Sequence, residues 1–251
     1  MSIDGANNPR LTLKLRQKIF HGAASGDKSV LSNIDLSLAD GEFIAITGPS
    51  GCGKTTLLNI IAGLDQDYDG EIALQKDSNH DIACSYVFQN PSLLAWRSVE
   101  QNIQLVSNNK PDKNYELEKR LTSFGLQDIR HQYPNQISLG MARRVSLARA
   151  FNVKAPLLLM DEPFVSLDEH TAQYLRELLL EQVRQRGISV IFVTHNLHEA
   201  IYMADRLIVM GSSPATIMER VSLSSERGQR DEQTIGNIKA GLIARYSEIL
   251  L

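Results

Sequence analysis

The sequence predicts an α/β fold built on a mostly parallel sheet, and three observations carry that expectation. Short apolar runs at Ala83–Phe88, Leu157–Asp161, Val190–Thr194 and Leu207–Met210 have the length and bulk of strands. Each of the last three follows a segment of helical character, such as Thr171–Gln185 before Val190. The run Phe43–Thr47 leads into a Gly-rich loop and then a helix over Thr55–Ala62, the opening of a parallel strand–helix unit.

Taken in chain order, Leu11–Leu15 alternates apolar and polar residues as a half-buried strand does, and Val30–Leu38 repeats the pattern before Asp40-Gly41 turns the chain. The stretch from about 90 to 150 is polar and helix-prone without a convincing strand, and reads as a helical insert. Beyond Gly211 the chain turns polar through Glu232. Ile235, Ile238, Leu242, Tyr246 and Ile249 then recur at near-helical spacing, so residues 221–251 read as a polar linker and a helix expected to pack on the core. Trp96 is either a core aromatic or a docking residue.

Composition narrows the function classes. Of 251 residues, 43% are hydrophobic and 22% charged, ordinary for a globular protein. Lys and Arg number 26 against 29 Asp and Glu, a net charge of −3 that points away from a nucleic-acid partner. Met1–Arg10 is polar, with no apolar stretch of a secretion signal, and no run approaches the roughly 20 apolar residues of a spanning helix. The expected place is therefore the cytoplasm, with membrane association only through a partner. Cys52 and Cys84 have no metal-ligand spacing and suggest no disulfide framework.

Chemistry concentrates at two places. Gly48-Pro49-Ser50-Gly51-Cys52-Gly53-Lys54-Thr55 fits the P-loop pattern in full, between a strand and a helix. Glycines let backbone N–H groups converge on phosphate oxygens at a helix N-terminus, with Thr56 in the same turn. Lys54 can reach the β- and γ-phosphates of ATP, and the Thr55 hydroxyl can ligate Mg²⁺. About a hundred residues on, the apolar run Leu157–Met160 ends in Asp161-Glu162. That places Asp161 at the carboxyl edge of the sheet to hold Mg²⁺, with Glu162 next to it to polarise the attacking water.

Further residues carry a family resemblance. Ile137-Ser138-Leu139-Gly140-Met141 and the following Ala142–Ala150 resemble the signature sequence and helix of ABC ATPases. Gln89 after Tyr86-Val87-Phe88 looks like that family's Q-loop glutamine, also a metal-site residue; Ser166-Leu167-Asp168 looks like its D-loop, and Val193-Thr194-His195-Asn196 like its switch-histidine segment. Phe20 sits where the family places an aromatic against adenine. The resemblance implies a P-loop NTPase core with an antiparallel β subdomain and an inserted helical subdomain, the ATPase domain covering 11–220. It implies a head-to-tail dimer, homo- or heteromeric, in which Ser138, Gly140 and Asp168 act in trans on the partner's ATP. It also implies transmembrane permease subunits, a solute-binding protein in the complex, and a peripheral position on the cytoplasmic side of the membrane.

Leu139 departs from the family's Ser-Gly-Gly. A side chain there stands where glycine would allow close approach and unusual dihedrals, so both preserved and impaired closure stay open, as does pairing with a different ATPase subunit. Phe88–Val99, with Ala95 in place of a proline before Trp96, is similar to importer subunits for nitrate, sulfonates and taurine. Alternatives are the motor of an exporter or lipid-transport system, a partly degenerate regulatory subunit, and an ABC protein of DNA repair or translation.

Overall fold

The computed structural model describes residues 9–22, 26–75, 83–106 and 113–250; most of the polar start Met1–Arg10 lies outside them. Two sheets and a set of helices make up the described chain. β1 (Leu11–Phe20), β2 (Lys28–Leu38) and, after the core's first unit, β4 (Asp69–Leu74) form an antiparallel sheet ordered β2-β1-β4. Leu13 faces Leu36 on one side and Ile72 on the other, and Leu11, Leu13 and Leu15 are buried while Lys14 and Arg16 stay outside, the period-2 pattern of a half-buried strand.

Between β2 and β4 lie β3 (Phe43–Thr47) and α1 (Lys54–Ile61); after β4 come β5 (Cys84–Val87), α2 (Val99–Gln104), α3 (Lys113–Ser123), α4 (Leu139–Asn152) and β6 (Leu157–Asp161). α5 (Glu169–Arg186), β7 (Ser189–Val193), α6 (Leu197–Met203), β8 (Arg206–Met210), β9 (Ile217–Ser222) and α7 (Glu232–Leu250) complete the order. The second sheet runs β5-β6-β7-β3-β8-β9, parallel throughout except for β9. Every residue of β3, β6 and β7 is buried. That is why these strands read as unbroken apolar runs: helices cover one face and α1 with the antiparallel sheet covers the other.

Alternation splits the core in two. Phe43, Ala45, Leu158, Met160, Val190 and Phe192 pack with Val145, Leu175, Leu179 and Ala200 of α4, α5 and α6. Ile44, Ile46, Leu159, Ile191 and Val193 pack with Leu57, Leu58 and Ile61 of α1 and with Leu13 and Leu36. α5 is held at both ends, by Asp168 Oδ1 accepting from Thr171 N at 2.9 Å and by Gly187 at φ 63°.

The structure differs from the sequence reading in five particulars, the first being the strand β4, which the sequence did not suggest. β1 continues to Phe20, and α4 runs two residues past 150. The polar stretch after Gly211 contains a strand, β9, which pairs antiparallel with β8 and ends at Ser222. The stretch between β9 and α7 is tied down: buried Arg230 donates to the carbonyls of Ile201, Tyr202, Leu223, Ser224 and Ser225. α7 packs on the core through buried Ile235 and Leu242 and bends at Tyr246. Trp96 is 71% exposed, which removes the core alternative.

Candidate functional site

The parallel order puts the carboxyl ends of β3, β5, β6 and β7 along one sheet edge, where ligands bind in open α/β sheets. The loop after β3 begins at Gly48, whose φ of 156° sets it within reach of Met210; a Cβ there would stand 2.6 Å from Met210 O. Gly53 caps α1 at φ 116°, and a Cβ on it would meet Val30 and Leu31 at 2.8 Å. Gly53→Ala is therefore expected to cost about 1–3 kcal/mol of stability and to weaken ATP binding, read by thermal melting and by titration with ATP.

Lys54 is buried and folds back over the loop, donating to Gly48 O and Pro49 O at 2.8 Å each. Next to it, Thr55 Oγ1 donates to Asp161 Oδ2 at 2.7 Å. Asp161 is 3% exposed, and its burial lifts its carboxyl above the ordinary range; the Thr55 hydroxyl and the Lys54 charge oppose that rise, and Glu162 adds to it. An exposed hydroxyl bonded to a buried carboxylate offers hard oxygens beside a phosphate loop, a pair that suits Mg²⁺.

Glu162 follows at φ 43°, a left-handed conformation unusual for a non-glycine residue, fixed by its N–H donating to Val193 O at 2.9 Å. The turn aims its side chain across the edge rather than along it. Gln89 Nε2, from the end of β5, donates to Glu162 Oε2 at 3.3 Å, and His195 Nδ1, from the end of β7, stands 3.2 Å from Glu162 Oε1. Behind His195, Thr194 Oγ1 donates to Glu199 at 2.9 Å, and Glu199 pairs with the buried Arg176 of α5.

Gln89, Glu162 and His195 line one cleft of about 490 Å³ with Phe20, Lys28, Val30, Ser50, Gly51, Gly53, Lys54, Thr55 and Thr56, a size typical of small-molecule sites. Phe20 is half-exposed at the cleft mouth, with Lys18 Nζ 4.7 Å from its ring centre. Cys52 is buried in the loop, and burial pushes its thiol up. A backbone cradle, a lysine and a wall of carboxylate, amide and imidazole can hold a polyphosphate and present a water to it.

Ser138, Gly140 and Asp168 do not line this cleft. Ser138 Oγ caps α4 by accepting from Met141 N at 3.2 Å, and Gly140 lies against Thr171 in the first turn of α5, where Asp168 is the cap. Leu139 takes helical dihedrals as the first residue of α4, so the concern over unusual dihedrals does not arise; its side chain is 46% exposed.

Two cleft residues, Lys28 and Val30, and one residue outside its lining, Arg143, are not among the site residues expected from the sequence. Lys28 lines the cleft because the β1–β2 register sets it opposite Phe20, a signal visible only once the hairpin is known. Arg143 of α4 reaches the Gln89 carbonyl.

Residues 31–165 match the family model described as ABC transporter. An aliphatic sulfonates import ATP-binding protein of Pseudomonas savastanoi pv. phaseolicola is 39% identical over 223 residues, 88% of this chain and 90% of that relative. One of the same name from Xanthomonas axonopodis pv. citri is 40% identical over 219 residues, 84% and 86% of the two chains. Among solved structures, the dimeric post-hydrolysis state of the ATP-binding cassette MJ0796 bound to ADP and Pi superposes with a TM-score of 0.75 at 26% identity, covering 86% of this chain and 100% of that one. With its phosphate loop and facing carboxylates in that frame, this chain belongs to the ABC transporter family as an ATP-binding, ATP-hydrolysing subunit.

Proposed function

We propose that this subunit powers an importer of aliphatic sulfonates or a related small anion such as nitrate or taurine, from a peripheral position on the cytoplasmic side of the membrane. The observation that carries the hydrolytic part is the Glu162 carboxylate held between Gln89 and His195 at the wall of the P-loop cleft. Similarity to sulfonate-import ATP-binding proteins over most of both chains supports the cargo class.

In this reading the loop Gly48–Thr56, through the backbone N–H groups of its residues other than Pro49, and the Lys54 ammonium bind the phosphates, and Phe20 takes the adenine face. Glu162 accepts a proton from water as its oxygen attacks the γ-phosphorus, and ADP leaves. His195 and Gln89 hold that carboxylate and the water in line. Thr55, Asp161 and Gln89 would hold Mg²⁺, which when bound neutralises phosphate charge. The ATPase unit covers about 11–220 with its insert at about 90–150, and 221–251 forms a C-terminal extension.

Ser138, Gly140 and Asp168 serve the ATP of a second ATPase subunit. The N-termini of α4 and α5 lie side by side away from this chain's own cleft, and two positive helix ends attract a phosphate brought from outside. The exposed Trp96 supports docking of permease subunits, and a solute-binding protein delivers the cargo.

The test is uptake. Vesicles carrying the chain with its permease subunits and solute-binding protein are expected to accumulate a labelled alkanesulfonate only with internal ATP. ATP-driven uptake of other solutes with no response to sulfonate, nitrate or taurine contradicts the cargo class.

A further inference from the structure

The helix that begins with the signature residues also reaches this chain's own catalytic wall. Arg143 lies one turn into α4 and is 4% exposed. Its Nη1 donates to the carbonyl oxygen of Gln89, the residue whose side-chain amide binds Glu162. Six residues on, Arg149 donates to Ser92 O and Pro91 O at 2.9 Å each. Two guanidinium groups of one helix thus hold the backbone of 89–92, and only the first holds Gln89 itself.

The position of Arg143 is not one that packing alone would select. Burial lowers its affinity for the proton, and the charge of Glu162 works against that loss. Among the described residues its Nε meets no acceptor. A buried cation with an orphaned donor costs stability, and an apolar residue of similar volume would avoid that cost. What the arginine does gain is a fixed, charge-assisted bond to the backbone of a catalytic residue.

We infer that Arg143 is a positioning residue for ATP hydrolysis: it fixes the Gln89 backbone, so that the Gln89 amide holds the Glu162 carboxylate in line with the cleft. The path runs from α4 through the Arg143–Gln89 bond to a carboxylate anchored on β6. Displacement of the insert relative to the sheet therefore moves Gln89 relative to Glu162. The inference rests on the proposed role of Glu162 as the group that takes the proton from water.

The experiment uses the full-length chain and compares wild type, Arg143→Met, Arg143→Lys, Gln89→Ala, the Arg143→Met/Gln89→Ala double variant and Glu162→Gln. For Arg143→Met, kcat is expected to fall by about 10–100-fold, the cost of misplacing a reacting group by an ångström or so, with KM for ATP and melting temperature nearly unchanged. Arg143→Lys, which retains a charged donor, recovers part of the loss. The double variant turns over within about twofold of Gln89→Ala alone, because the arginine acts through Gln89. Should Arg143→Met not fold, Arg143→Gln carries the same comparison. Wild-type turnover in Arg143→Met, or losses that multiply in the double variant, overturns the inference. If Glu162→Gln keeps wild-type turnover, the role of Glu162 falls and this inference with it; if Glu162→Gln is inactive while Arg143→Met is not, only this inference falls.

Discussion

Replacing Glu162 by glutamine is expected to lower the rate of phosphate release by about 10²–10⁴-fold, the range contributed by a positioned general base. The substitution preserves size and leaves the P-loop untouched, so ATP affinity stays within a few-fold of wild type. Glu162 stands in a left-handed turn between β6 and the following loop, and both carboxylate oxygens are engaged, one by Gln89 and the other by His195. A neutral amide in that place cannot accept the proton that the attacking water must lose. Asp161 cannot substitute for it, because its buried carboxylate is committed to the Thr55 hydroxyl. Steady-state phosphate release, with ATP affinity measured separately, checks both halves of the expectation.

The second large effect concerns binding. Lys54→Ala is expected to weaken ATP binding about 30-fold or more, as truncating one partner of a buried, hydrogen-bonded charge pair generally costs at least 2 kcal/mol. In this structure the ammonium already bonds two loop carbonyls, Gly48 O and Pro49 O, so its loss removes a phosphate ligand and also loosens the loop. Lys54→Arg does not rescue affinity, because a forked guanidinium cannot occupy the space of a compact point charge. Calorimetric titration with ATP is the measurement.

The phosphate loop was legible in the sequence because its chemistry is local: strand, glycines, lysine and hydroxyl are contiguous, and each demands its residue type. Asp161 and Glu162 were legible for a related reason, since an apolar run fully buried on both faces ends where the sheet edge begins. Gln89 and His195 were placed by resemblance, and the physical cause of their meeting is the adjacency of β5, β6 and β7, which bare spacing does not reveal. The edge strands were harder. β4 was not expected from the sequence, and its Gly70 at φ 155° lies so close to the backbone of β1 that a Cβ would stand 2.5 Å from Lys14 O. β9 alternates between half-buried and exposed residues, and such a strand is indistinguishable from a polar connection until a neighbour supplies its ladder. Arg143 gave no signal at all, because its meaning depends on where one helix of the insert meets a loop fifty-four residues away.

In the proposed mechanism one cleft both binds ATP and cleaves it, with Glu162 taking the proton. Wild type and Glu162→Gln, each incubated with ATP and Mg²⁺ and stripped of free nucleotide, can be compared for the nucleotide each retains. ADP is expected on the wild-type chain and intact ATP on Glu162→Gln. Intact ATP on both chains, or ADP on both, contradicts that mechanism.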